Sequence, residues 1–179
     1  MGSKTIIFAN TIKSCKRIQF FVESFGMENV SLHSHMQQKQ RLKKLEKFKK
    51  SKLCNILIAT DVAARGLDFH ITHVVQMGVP VNGDTYVHRA GRTARANRTG
   101  EALIVVDKKE INRWTDINDT ISETSPNRKV NKYQPTEAQY NDLLERMEQF
   151  DWIRRNQEKK EDRFDKNDRM DAEELGLEL

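Results

Sequence analysis

Apolar positions over the first 125 residues switch repeatedly between two periods. Lys4–Ala9 (KTIIFA) is a β-branched, aromatic run that predicts a buried strand. From Thr11 to Phe25 the apolar residues Ile12, Cys15, Ile18, Phe21, Val22 and Phe25 form a helical stripe, and Gly26 is placed to end it. Val30–Leu32 reads as a short strand. Gln37–Lys50 sets Leu42, Leu45 and Phe48 among lysines, which predicts an amphipathic helix with a basic outer face. Cys54–Ala59 and His73–Met77 read as further buried strands, with Pro80 ending the second. Asp84–Gly91 predicts a short helix capped by Asp84. Glu101–Val106 predicts a last strand and Ile111–Ile121 a last helix.

Strand and helix alternate with short connections. That pattern predicts an α/β domain whose mostly parallel sheet carries helices on both faces. In such sheets ligands gather at the C-terminal ends of the strands, so the segments after Ala9, Leu32, Ala59 and Met77 are the candidate sites.

The pattern changes near Pro126. Residues 1–125 form the α/β domain, and 126–135 (PNRKVNKYQP) read as a linker. Residues 136–179 form a charged helical extension. Within it Thr136–Arg163 reads as one long helix, with a narrow apolar stripe of Tyr140, Leu143, Leu144, Met147 and Phe150 and with Trp152 and Ile153 partly off it. Such a stripe docks on its own domain or on a protein partner. The end, Asp165–Leu179, is acidic and is expected to be disordered.

Charge sharpens this division. Residues 1–125 carry 20 Lys+Arg against 12 Asp+Glu, while 126–179 carry 11 against 14. The basic part suits a polyanion, either nucleotide phosphate or nucleic acid. Cys15 and Cys54 stand far apart in apolar runs, which predicts small buried side chains in a reducing compartment. No run has the length and apolarity of a membrane-spanning helix, and no signal peptide is evident. The opening Met1-Gly2-Ser3 reads as an artificial start to a fragment.

Three segments carry chemistry. In the first, Ala59-Thr60-Asp61-Val62-Ala63-Ala64-Arg65-Gly66-Leu67-Asp68, polar groups appear as soon as a buried strand ends. Arg65-Gly66 places a guanidinium beside a residue that permits close approach, and Asp68 can accept from a ribose hydroxyl. Asp61 capping a helix and Arg65 paired with Asp68 on the surface remain an open alternative. The second segment is His88-Arg89-Ala90-Gly91-Arg92-Thr93-Ala94-Arg95. On a helical turn Arg92 and Arg95 would project to one side and converge on one anion, an arrangement suited to phosphoryl transfer. In the third, His33 to Arg41, a helix N-terminus with Gln38 and Arg41 can position a phosphate. His33 and His35 lack a third ligand in the sequence around them, so no metal site is expected.

In serial order, Phe8-Ala9-Asn10-Thr11, Gln38-x-x-Arg41, Ala59-Thr60-Asp61-x-x-x-Arg65-Gly66-Leu67-Asp68 and His88-Arg89-x-Gly91-Arg92-x-x-Arg95 resemble the motifs of the second RecA-like domain of DEAD-box RNA helicases. The opening His88 favours this branch over the DEAH relatives. The resemblance covers about residues 4–122 and implies a three-layer, P-loop NTPase-type RecA-like fold. It implies that Arg92 and Arg95 reach the γ-phosphate of ATP, with Arg95 as arginine finger. Asp68 would contact the ribose, and Arg65, Gly66 and His88 would couple nucleotide to the interdomain interface. Asn10, Thr11, Ser34, Gln38, Arg41, Thr60 and Asp61 would hold the RNA backbone. Ser34 and Ala94 stand where the family commonly has Gly, and His35 where it usually has Asp.

The sequence holds no G-x-x-x-x-G-K-[ST] loop and no D-E-A-D tetrapeptide. The resemblance therefore implies that ATP and its Mg²⁺ are held by a first RecA-like domain outside this chain, and that the chain alone is inactive. Leu32–Arg41, Tyr86-Val87-His88-Arg89 and Ala172-Glu173-Glu174-Leu175-Gly176 also resemble the helicases of large-ribosomal-subunit assembly, which implies ribosome biogenesis and an intracellular, nucleolar location. The competing expectation is a non-catalytic RNA- or protein-binding RecA-like module. A Rossmann oxidoreductase is excluded because no G-x-G-x-x-G follows a strand.

Overall fold

A computed structural model describes residues 3–64, 70–94, 99–125 and 130–149. Its elements run β1 (Thr5–Ala9), α1 (Ile12–Ser24), β2 (Asn29–Leu32), α2 (Gln38–Lys50), β3 (Ile56–Ala59), α3 (Asp61–Ala64), β4 (His73–Met77), α4 (Gly83–Ala90), β5 (Glu101–Val105), a 3₁₀ turn (Lys108–Glu110) and α5 (Ile111–Thr124). The strands form one sheet in the order β2-β3-β1-β4-β5, every pairing parallel. The three runs read as buried strands, Lys4–Ala9, Cys54–Ala59 and His73–Met77, supply β1, β3 and β4 at its centre.

Strand alternation sends neighbouring residues to opposite faces. Ile6, Phe8, Leu57, Ala59, Val30, Leu32 and Val74 meet Phe48 and Leu45 of α2 on one face. Ile7, Ala9, Ile56 and Ile58 meet Cys15, Ile18 and Val22 of α1 on the other. Farther along the α2 face, Tyr86, Ala90, Trp114, Ile117 and Ile121 of α4 and α5 close over Ile104. Both faces carry helices, but unevenly. α1 does not extend over β5, where Leu103 is 46% exposed. Both cysteines are buried and unpaired, and burial pushes their thiols up.

Several local readings change. Asn82, not Asp84, caps α4: its Oδ1 accepts from the Thr85 N–H at 2.9 Å. The cap lies two residues earlier because the helix starts at Gly83, which leaves Asp84 in the first turn. β4 stops at Met77, before Pro80, because Gly78 turns the chain at φ +93°. The last helix runs past Ile121 to Thr124. Arg92–Ala94 are not helical. Gly91 is the C-cap of α4 and Ala94 adopts φ +55°, so Arg92 lies beyond the helix, while Arg95 lies outside the described residues.

Lys4, just before β1, is a tether. Its Nζ donates to the carbonyls of Phe48, Ser51 and Cys54 at 2.6, 3.0 and 3.0 Å and lies 4.7 Å from the Phe48 ring centroid. A cation there satisfies carbonyls at the C-terminal end of α2.

The chain divides into two compact units, Met1–Lys129 and Val130–Leu179. In the second, residues 137–149 form a further helix, α6. Thr136 and Gln139 close a capping box: the Thr136 N–H donates to Gln139 Oε1 at 2.9 Å, and the Gln139 N–H to Thr136 Oγ1 at 3.3 Å. Tyr140, Leu143, Leu144 and Met147 are exposed. The expectations for residues 126–129, for the helix beyond 149 with Phe150, Trp152 and Ile153, and for Asp165–Leu179 lie outside the described residues. Among the described residues no helix is long and apolar enough to cross a membrane.

Candidate functional site

The site is organised by one buried arginine. α4 packs Tyr86 against Trp114, ring centroids 5.3 Å apart, and helical spacing brings Arg89 onto the same inward side. Arg89 is only 2% exposed. Its Nε donates to Asp61 Oδ1 at 2.7 Å, and its Nη2 donates to Asp61 Oδ2 at 2.7 Å and to Asn10 Oδ1 at 2.9 Å. The guanidinium carbon lies 5.4 Å from the Phe8 ring centroid. One planar fork therefore ties the ends of β1 and β3 to α4. Asn10 continues the network, its Nδ2 donating to the Val79 carbonyl at 3.0 Å. Gly78 lies against this contact, since a Cβ there would sit 3.0 Å from Asn10 Nδ2.

Around this node Phe8, Asp61, Ala64, Thr85, His88, Arg89 and Arg92 line an open cleft of about 180 Å³. His88 is exposed on the outward side of α4, while Arg92 lies just past the C-cap with its Nε donating to the His88 carbonyl at 3.2 Å. The turn after Arg92 is anchored by Thr93, whose Oγ1 lies 2.8 Å from the Ile71 carbonyl and 3.0 Å from that of Thr72. Gly100 packs on that anchor: a Cβ there would collide with Thr93 Oγ1 and lie 2.9 Å from the Ala94 nitrogen. Two cationic or titratable side chains, His88 and Arg92, thus line a cleft whose floor is already charge-balanced. The donor set suits a phosphate, which is the fit that ATP requires. Among the described residues no group of His, Cys, Asp and Glu is placed to hold a metal.

The residues expected at RNA fall along the C-terminal edge of three adjacent strands. Leu32 pairs with Ala59, and Ala59 with Phe8, so the segments that follow leave the sheet side by side. Thr11 caps α1, its Oγ1 accepting from the Ser14 N–H at 3.0 Å. Ser34 is exposed in the turn after β2, and Gln38 is exposed at the start of α2. Arg41 Nη2 donates to the Ala63 carbonyl at 2.9 Å, fixing α2 to α3. The Thr60 N–H donates to the Leu32 carbonyl at 3.2 Å, and the Thr60 carbonyl accepts from Ala63 and Ala64. The side chains of Asn10 and Asp61, expected at RNA, both accept hydrogen bonds from Arg89. Arg65, Gly66, Asp68 and Arg95 lie outside the described residues. Sequence reasoning missed the tethering roles of Lys4, Thr93 and Gly100. No local signal marked them, because each is defined by a partner distant in the chain.

Residues 1–97 match the family described as the helicase conserved C-terminal domain. The chain is 45% identical over 111 residues to the ATP-dependent RNA helicase mak5 of Schizosaccharomyces pombe, covering 62% of this chain and 17% of that protein. It is 39% identical over 132 residues to the ATP-dependent rRNA helicase rrp3 of Emericella nidulans, covering 73% and 28%. Its fold resembles domain 2 of the DEAD-box helicase Mss116p bound to an RNA duplex, with a TM-score of 0.63, 32% identity and coverage of 80% of this chain and 57% of that one. The chain belongs to the helicase conserved C-terminal domain family and, within it, to the DEAD-box RNA helicases. It spans less than a third of the length of either curated relative.

Proposed function

We propose that this chain is the half of an ATP-dependent RNA helicase that supplies arginine to the nucleotide and a backbone cradle to RNA. The observation that carries this reading is the open cleft in which His88 and Arg92 stand beside Arg89, itself neutralised by Asp61. ATP, with Mg²⁺ held by a first RecA-like domain, closes the two domains over RNA, and that closure assembles the site in which its γ-phosphoryl group is hydrolysed. Arg92 places a guanidinium toward the phosphates, and Arg95 serves as arginine finger. Asp68 serves the ribose, and Arg65, Gly66 and His88 couple the nucleotide to the first domain. Thr11, Ser34, Gln38, Arg41 and Thr60 hold sugar and phosphate without reading bases, so unwinding is independent of sequence. The rRNA helicase among the relatives supports a role on ribosomal RNA, in ribosome biogenesis and the nucleolus.

The isolated chain is expected to show no ATPase activity above background. In a two-domain protein carrying it, Arg92→Ala is expected to lower RNA-stimulated kcat by about 10³ or more with RNA affinity retained. Unchanged kcat in that variant would overturn the role of Arg92. Turnover by the isolated chain would overturn the division of labour.

A further inference from the structure

α2 carries seven basic residues against the single acid Glu46. Its inner side is occupied by Leu45 and Phe48. The opposite ridge, at helical spacing, is Lys39, Lys43, Glu46 and Lys50. Glu46 pairs with Lys50 at 2.6 Å, and Lys47 pairs with Glu28 at 3.2 Å. Lys39 and Lys43 are exposed and have no hydrogen bond or ion pair among the described residues. Two like charges one turn apart repel each other, an arrangement that costs the free protein stability.

This ridge does not stand alone. β2 is an edge strand, flanked by α1 and α2. From α1, Gln19 accepts from Ser31 Oγ; from α2, Lys44 Nζ donates to the same oxygen at 3.1 Å. Lys16 lies one turn before Gln19 and is exposed. Lys16 and Lys44 both act on His33, pressing it toward the neutral form together with burial, the largest cause, and His35. Positive charge therefore surrounds the turn holding Ser34 on both flanks, and continues along α2 away from the residues assigned to RNA.

We propose that Lys16, Lys39 and Lys43 form a second phosphate track, which holds RNA backbone beyond the core contacts at Thr11, Ser34, Gln38, Arg41 and Thr60. The track rests on the RNA reading of those core residues and lengthens the footprint. Exposed lysines spread over two helices suit a flexible polyphosphate backbone held by charge rather than a small anion.

The test uses the whole 179-residue chain and its Lys16→Gln/Lys39→Gln/Lys43→Gln variant, since Gln keeps helix propensity close to that of Lys. Circular dichroism confirms the fold, and affinity is measured for RNAs of about six and about twenty nucleotides over a salt series. The expected result is a loss of about tenfold or more on the longer RNA only, with the log–log salt slope reduced by about two. Binding of both RNAs by the parent with an unchanged slope in the variant overturns the track alone. Absence of RNA binding by the parent overturns the core reading as well. Loss of binding to a polyglutamate peptide, with RNA binding intact, overturns the track in favour of an acidic protein partner.

Discussion

Arg89 and the outer ridge of α2 use the same kind of charge to opposite ends. Arg89 is buried on the inward side of α4, with a carboxylate and an amide within 2.9 Å. Lys39 and Lys43 are exposed to solvent and make no ion pair among the described residues. Removing water from a charge is costly unless a partner is fixed in place, so a buried cation becomes part of the scaffold. An exposed cation keeps its hydration and stays available to an incoming polyanion. Burial, not residue type, assigns the role.

The strongest way to break this contrast is Arg89→Met. It leaves Asp61 unpaired and detaches α4 from β1 and β3, and should cost about 3 kcal/mol or more, lowering Tm by about 10 °C or more. A double variant with Asp61→Asn should recover part of that loss; strictly additive losses in thermal or urea unfolding would show that the ion pair does not hold the node. Gly100→Ala should come next, at about 2 kcal/mol, because its Cβ meets the Thr93 anchor and the Ala94 nitrogen. A neutral urea midpoint would show that the turn gives way freely. Lys4→Met should cost about 1.5 kcal/mol by freeing three carbonyls near the end of α2, with amide exchange rising first in that last turn. Lys39→Gln with Lys43→Gln should change stability by less than about 0.5 kcal/mol. A larger loss there would mean that the ridge, too, is scaffold.

The smallest effect concerns pH. Burial, Lys16, Lys44 and His35 lower the folded His33 below its ordinary value of 6.5. As pH falls through that value the unfolded chain takes up a proton first, so this contribution to stability is whole above it and declines below it. His33→Gln should flatten the change in urea midpoint between about pH 7.5 and about pH 5.5. An identical slope in the variant would assign the pH dependence to other groups.

The fold was legible to the extent that its signals were local. β-branched runs marked the strands, and the stripe from Ile12 to Phe25 marked α1 with its end at Gly26. The capping box at Thr136 agrees with the helix start read there. Readings failed where two local signals competed. Asn82 and Asp84 are both good caps, and the choice depended on where Tyr86 had to meet Trp114. The helical spacing of the arginine motif suggested a continuing turn, but α4 ends at Ala90 and Gly91 caps it before Arg92.

The candidate site divides in the same way. The order of its motifs along the chain, and the family they indicate, are properties of sequence, because each motif is a short run whose neighbours are covalent. The task of each side chain within those motifs is a property of the tertiary structure. Asn10 and Asp61 sit in motifs linked to RNA, yet the fold turns both toward Arg89, which is 79 residues from one and 28 from the other. Only the parallel pairing of β1 with β3, and the packing of α4 beyond them, brings those three residues together. Once together they pair, because a buried guanidinium must be neutralised; that requirement appears only when the chain has folded and the water is gone.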